Sequence, residues 1–266
     1  MREALSALAA DSWVLDLGSA SGSFQESSTV GRVVRLDLAP IRRGEGRVIR
    51  ADAARLPFAD GAFDAVVANH SFEHFEELEL VLGELGRVIK PTGAIFVSVP
   101  DASTVTDRLY RWLARGGGHV NAFTDPMQLA GMIVRATGMR LSGMKVLHSG
   151  LSFLNRKNIQ RVPRRLFLFG GGFEWTLQIG TYALRLMDLV FGSRYSVYGW
   201  AYYFGAVAAL DLAPASNVCV RCGAGHGAEW LRATSRIYHF PLWNYYHCPS
   251  CQTTNLFLDE PARTME

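Results

Sequence analysis

Short apolar runs that end on small or acidic residues recur along the first hundred positions. Val14-Leu15-Asp16-Leu17, Arg32-Val33-Val34-Arg35-Leu36, Arg47 to Ala51, Ala65-Val66-Val67-Ala68 and Ala94 to Val99 are too short for helices and rich in β-branched side chains, so they predict five strands. Between the last two, Leu78, Val81, Leu82, Leu85 and Val88 recur at helical spacing and predict a helix over 75–89, stopped by Pro91 and Gly93. Strands alternating with helices predict an α/β fold with a doubly wound parallel sheet. Further on, a helix over 125–137 with Thr124 or Asp125 as its cap precedes a sixth strand, Met139 to Leu147.

The pattern then changes. Residues 151–193 read as a helical insertion in which Leu177, Tyr182, Leu184, Leu186, Leu189 and Val190 wrap much of the circumference, interrupted by Glu174, Arg185 and Asp188. A basic cluster, Arg156, Lys157, Arg161, Arg164 and Arg165, precedes it. The insertion is expected to serve either as a lid buried against protein or as a peripheral membrane contact. The uncharged run Tyr195 to Leu210 has 16 residues, short of the ~20 needed to cross a bilayer, and its tyrosines suit a further strand over 194–212.

Composition narrows the class. With 266 residues, 49% of them hydrophobic and 19% charged, the chain can bury a sizeable core. A net charge of +3 does not point to nucleic acid. Residues 1–12 predict an amphipathic helix and lack the apolar core of a signal peptide, so the expected location is cytoplasmic. All four cysteines lie in the last quarter as two Cys-x-x-Cys pairs, Cys219/Cys222 and Cys248/Cys251, separated by 25 residues. Four thiolates on two tight turns meet the tetrahedral demand of Zn(II) and leave no open position, so residues 213–266 are expected to form a small ribbon around a structural zinc. Tyr238, Phe240, Trp243, Tyr245 and Tyr246 are expected to supply its core.

The first strand carries the chemistry. After Asp16 the chain breaks into Gly18-Ser19-Ala20-Ser21-Gly22, a turn of small residues that lets backbone approach a ligand closely. Asp37 ends the second strand, Asp52-Ala53 follows the third, and Asn69-His70 ends the fourth. The order Asp-x-Gly-x-Ala-x-Gly differs from a dinucleotide fingerprint. Together with the Asp37, Asp52 and Asn69 positions and the Glu84-to-Gly93 segment, it resembles the class I S-adenosylmethionine-dependent methyltransferases over residues 10 to 150.

That resemblance implies a seven-stranded, mostly parallel Rossmann-like sheet whose last strand runs antiparallel between strands five and six, with residues 1–150 as the cofactor-binding core. It implies that Asp16, Gly18, Ser19, Ala20 and Gly22 surround the methionine part of S-adenosylmethionine. Asp37 would take the ribose, Asp52 and Ala53 the adenine, and Asn69 would sit near the sulfonium. Ala20 stands where the family usually has a third glycine. His119, Phe123 and Thr124 match a His-x-x-x-Phe-[Ser/Thr] segment found in related enzymes. His74 or His119 is the expected base if the acceptor atom is oxygen, and a small-molecule, sugar or lipid-linked acceptor is expected. A methyltransferase fold used as a scaffold, its ribbon and insertion contacting RNA, protein or membrane, is the alternative from a different class.

Overall fold

The computed structural model describes residues 1–5, 8–19, 22–24, 29–39, 47–113, 118–155, 174–207, 210 and 215–259. Ala20 and the basic cluster at 156–165 lie outside these.

In chain order the elements begin with α1 (Arg2–Leu5), β1 (Trp13–Leu17), β2 (Arg32–Asp37), β3 (Arg47–Arg50) and β4 (Phe63–Asn69). A 3-10 turn at Phe72–His74 follows, then α2 (Leu78–Val88), β5 (Ile89–Pro100), α3 (Val105–Leu113), α4 (Pro126–Thr137) and β6 (Leu141–His148). After a second 3-10 turn at Ser152–Leu154 come α5 (Glu174–Phe191) and β7 (Val197–Gly205). The tail holds β8 (Asn217–Val218), β9 (Gly225–His226), α6 (Ala228–Thr234), β10 (Ile237–His239), β11 (Asn244–His247) and β12 (Thr254–Phe257).

Seven strands form one sheet in the order β3-β2-β1-β4-β5-β7-β6. β1 pairs in parallel with β2 and β4, β2 with β3, and β4 with β5. β7 runs against its neighbours: the Ala206 amide near its end donates to the Gly93 carbonyl at the start of β5, and the Gly205 amide to Arg140, just before β6. This is the sheet that the resemblance implies, antiparallel strand included.

Local differences have physical causes. β5 begins at Ile89, five residues before the expected strand, because the pairing with β4 shifts register between Phe63 and Ala65 and so accommodates Lys90 to Gly93. α2 starts at Leu78 because residues 72–75 are tied down elsewhere: the Asn121 side-chain amide donates to the carbonyls of Phe72 and Phe75 at 2.9 and 2.7 Å. α4 has Asp125 as its cap, accepting the Met127 amide at 2.8 Å, Pro126 in the first turn and Gly138 at positive φ after its end. Of the N-terminal helix expected over residues 1–12, Arg2–Leu5 is helical and residues 8–12 are not.

The chain divides into two compact units, residues 1–100, 118–145 and 200–212 in the first, and residues 101–117, 146–199 and 213–266 in the second. In the first, strand side chains such as Leu15, Val66 and Ile95 pack with Leu82 and Leu85 of α2 and Ile133 of α4 into one apolar core. The second has two smaller cores. One gathers Leu113 of α3, Leu151, Leu154, Leu177 of α5 and Val220; the other gathers Cys219, Leu231, Tyr246, Cys248 and Phe257. Of the five aromatic residues expected in the ribbon core, Tyr246 is fully buried, whereas Phe240 and Trp243 are about half exposed, at 52% and 49%.

Candidate functional site

The carboxyl ends of β1, β2 and β4 share one edge of the sheet, because parallel pairing sets Leu17 beside Leu36 and Asp16 beside Val67. This is where open α/β sheets receive ligands. The turn after β1 is pinned there. The Gly18 and Ser19 amides donate to the Leu36 carbonyl at 2.8 and 3.2 Å, which sets the turn next to Asp37. Ser71, just past β4, donates its hydroxyl to the Leu17 carbonyl at 2.9 Å. Gly18 has φ +65°, and a Cβ there would meet the Ser71 Cβ at 2.7 Å, so both the conformation and the space require glycine.

Asp16 is fully buried. Its Oδ2 accepts the Ser23 amide at 2.9 Å and lies 3.8 Å from the Arg35 Nε, while its Oδ1 has no hydrogen-bond partner among the described residues. Burial pushes the Asp16 carboxyl above its ordinary pKa, and the Ser23 hydrogen bonds and the Arg35 charge only partly offset this. The Ser19 hydroxyl is likewise buried without a partner among the described residues. Two orphaned polar atoms beside a turn that excludes side chains fit a polar ligand held closely at the end of β1. Arg35 also donates to the Phe24 carbonyl at 3.2 Å and lies against the position a Gly22 Cβ would take, at 3.1 Å. A buried arginine within β2 is a site residue that the apolar pattern of the strand did not single out.

Asp37 is half-buried, with Oδ1 accepting the Ala39 amide at 2.9 Å. Asp52 is exposed, two residues past the Arg50 that pairs with Asp37, and accepts the Ala54 amide at 2.9 Å; Ala53 beside it is buried. Asn69 ends β4 and accepts from the Ser98 hydroxyl at 2.7 Å. The chain then turns sharply through His70, at φ +53°.

The two histidines come together. The Val120 and Asn121 amides both donate to the Glu73 carbonyl, at 2.8 and 3.0 Å, and this lays residues 118–121 along the 3-10 turn. The His119 and His74 rings stand 4.9 Å apart, edge to face. His74 Nδ1 lies 3.0 Å from the Gly118 carbonyl, an acceptor, so Nδ1 carries the proton and Nε2 keeps its lone pair. Beneath them Glu73 is buried, with Oε1 3.5 Å from His70 Nδ1. Burial raises its pKa, but the His70 hydrogen bond and charge and the His74 charge more than reverse this, leaving it below the ordinary value. By sequence Glu73 is a candidate base alongside His70, His74 and His119, or a helix-starting carboxylate; in the structure it is buried with His70 beside it.

The four cysteines converge in the tail, with their sulfurs within 4.8 Å of one another. Cys219 and Cys251 are 3.6 Å apart and Cys222 and Cys248 3.7 Å. Zn–S bonds of about 2.3 Å in a tetrahedron place sulfurs roughly 3.8 Å apart, so the set fits Zn(II). Each pair sits on a tight turn closed at positive φ, by Gly223 in the first and by Gln252 in the second. Polar neighbours face the sulfurs: the Arg221 amide and Asn255 Nδ2 each lie 3.4 Å from the Cys219 sulfur, both as donors. His226 Nε2 is 3.7 Å from the Cys248 sulfur.

Residues 15–97 match the family model for a methyltransferase domain. A demethylmenaquinone methyltransferase of Deinococcus radiodurans is 30% identical over 163 residues, covering 48% of this chain and 67% of that protein. One from Thermus thermophilus is 38% identical over 99 residues, 32% of this chain and 45% of that protein. A malonyl-[acyl-carrier protein] O-methyltransferase of Legionella pneumophila is 30% identical over 127 residues, 42% of this chain and 45% of that protein. The chain thus spans a little under half the length of the last two relatives. Among solved structures, an S-adenosylmethionine-dependent methyltransferase of Archaeoglobus fulgidus superposes with a TM-score of 0.51 at 16% identity, covering 74% of this chain and 86% of that one. With the parallel sheet, the glycine turn at its edge and these relatives in hand, the chain belongs to the class I S-adenosylmethionine-dependent methyltransferases.

Proposed function

We propose that the protein O-methylates a small-molecule, sugar or lipid-linked acceptor at the edge of the sheet where β1, β2 and β4 end. The observation that carries the reading is the pair of orphaned buried atoms, Asp16 Oδ1 and Ser19 Oγ, beside a turn closed to any side chain at Gly18. S-adenosylmethionine supplies a methyl group on a sulfonium, which leaves as a neutral thioether when the acceptor oxygen takes the methyl. Asp16, Gly18, Ser19 and Gly22 hold its methionine part in this reading, Asp37 the ribose hydroxyls, and Asp52 and Ala53 the adenine; Asn69 lies near the reacting centre. Transfer of this kind is mainly alignment and exclusion of water. His74, whose Nδ1 proton is committed to the Gly118 carbonyl, offers Nε2 to take the acceptor's hydroxyl proton. His119 flanks it and shapes the same corner. Among the relatives, the name malonyl-[acyl-carrier protein] O-methyltransferase specifies an oxygen acceptor, which is compatible with O-methylation here.

In the same reading Cys219, Cys222, Cys248 and Cys251 bind one structural Zn(II) that closes the tail. Isothermal titration with S-adenosylhomocysteine tests the cofactor site: saturable binding supports it, and no heat at millimolar ligand rejects it. Transfer of labelled methyl to a panel of hydroxylated acceptors then tests the acceptor class.

A further inference from the structure

The polarity of α5 is inverted. Its buried positions are Leu177, Thr181 and Arg185, two of the three polar. Its charged side chains are all engaged: Glu174 pairs with Arg221 at 2.9 Å, and Arg185 reaches His148 and the Ser196 hydroxyl. Asp188 accepts from Ser193, Tyr195 and Ser196. Every exposed residue of the helix is apolar: Trp175, Ile179, Ala183, Leu186, Met187, Leu189, Val190 and Phe191. A helix on the surface of a water-soluble domain shows the opposite arrangement.

A second element of the same unit repeats the pattern. The turn between β10 and β11 is closed by the Phe240 amide donating to the Trp243 carbonyl at 3.0 Å, and its tip exposes Phe240, Leu242 and Trp243, with Leu242 at 83%. The sequence of the unit is also net basic. Its sequence carries 14 basic against 8 acidic residues, a formal +6, whereas the first unit carries 13 against 16, a formal −3.

We propose that the second unit docks on an anionic bilayer surface, with α5 in the plane of the interface and the β10–β11 turn inserted beside the headgroups. Three features select lipid over a protein partner. The exposed set on α5 offers no hydrogen-bonding side chain except the Trp175 indole, whereas protein interfaces carry about one hydrogen bond per 100–200 Å². Tryptophan and phenylalanine at the ends of the helix and at the turn are the residues that settle at the headgroup boundary. The excess of arginine matches anionic lipid. No helix among the described residues is long and apolar enough to cross a membrane, so α5 lies along the surface.

The test is co-sedimentation of the full chain with vesicles of phosphatidylcholine alone or mixed with phosphatidylglycerol. The protein is expected to pellet with the mixed vesicles and to be released by salt. Ile179→Asp with Val190→Asp, and separately Leu242→Asp with Trp243→Asp, should each weaken partitioning about tenfold or more, because every such side chain gives up its apolar burial. Far-UV circular dichroism and a thermal scan confirm that both variants are folded. Failure to bind either vesicle overturns the proposal, as do variants that bind like the parent. So does a dimer, measured by light scattering, that Ile179→Asp dissociates: that result assigns the face to a second copy of the chain.

Discussion

His74 holds its ring by donating Nδ1–H to the Gly118 carbonyl 3.0 Å away, which fixes the tautomer that leaves Nε2 basic. Gly118 is itself placed by the neighbouring Val120 and Asn121 amides on the Glu73 carbonyl, so one short segment orients the proposed base. His74→Gln should lower kcat about 10² to 10⁴-fold, the range of a lost general base, with S-adenosylhomocysteine affinity unchanged. Equal loss of cofactor affinity would instead assign His74 to binding.

Gly18→Ala places a β-carbon at positive φ and against Ser71. A left-handed alanine alone costs about 1–2 kcal/mol, and the overlap adds to it. A lowered melting temperature together with loss of S-adenosylhomocysteine binding is expected from thermal scans and calorimetry; a variant that melts and binds like the parent would remove the turn from the site.

Asp37 is half-buried, and its carboxylate accepts the Ala39 amide within its own turn. Asp37→Ala is expected to weaken S-adenosylhomocysteine binding roughly 10 to 100-fold, the worth of hydrogen bonds to a charged acceptor, while the melting temperature shifts little. Calorimetry reads the first effect and a thermal scan the second.

Glu73 provides a pH signature. Its folded pKa is depressed, through burial opposed and outweighed by His70 and His74, so its contribution to stability is present above the unfolded value of about 4.3 and fades as pH falls through the lower folded value. Glu73→Gln should therefore be less stable than the parent above that unfolded value, and the difference should narrow as pH falls below it in denaturant titrations. A constant difference across that range would show that the charge of Glu73 is not what stabilises the cluster.

Metal analysis of protein purified without chelator should find about one zinc per chain, since four thiolates complete one tetrahedral site. Cys248→Ser should lose it, and hydrogen exchange over 215–259 should quicken while that of β1 and β4 stays slow. The tail's own core is small, built on Leu231, Tyr246 and Phe257 around two of the cysteines, and such ribbons draw folding energy from the metal.

The strands were legible because burial imposes itself on the sequence: β1, β4 and β5 are covered on both faces and read as continuous apolar runs. The glycine turn and the paired cysteines were legible because conformation and coordination demand particular residue types at set spacings. Arg35 was not, since an arginine in an apolar strand gains its meaning only when Asp16 of the next strand lies beside it. Nor was the link from Asn121 to the carbonyls of Phe72 and Phe75, 49 and 46 residues away, which shortens α2 and brings His119 to His74. Counting apolar residues placed Phe240 and Trp243 inside the ribbon, but both stand about half exposed at the turn they close, 52% and 49%.

The place of β7 in the sheet bears on how the chain is made. β5 is complete at Pro100, yet the strand that covers its free edge begins at Val197, 97 residues later. At a synthesis rate of about 5–20 residues per second the nascent sheet waits roughly 5 to 20 seconds with a long apolar strand unpaired. During translation that open edge is where misassociation begins and where a chaperone has the most to protect.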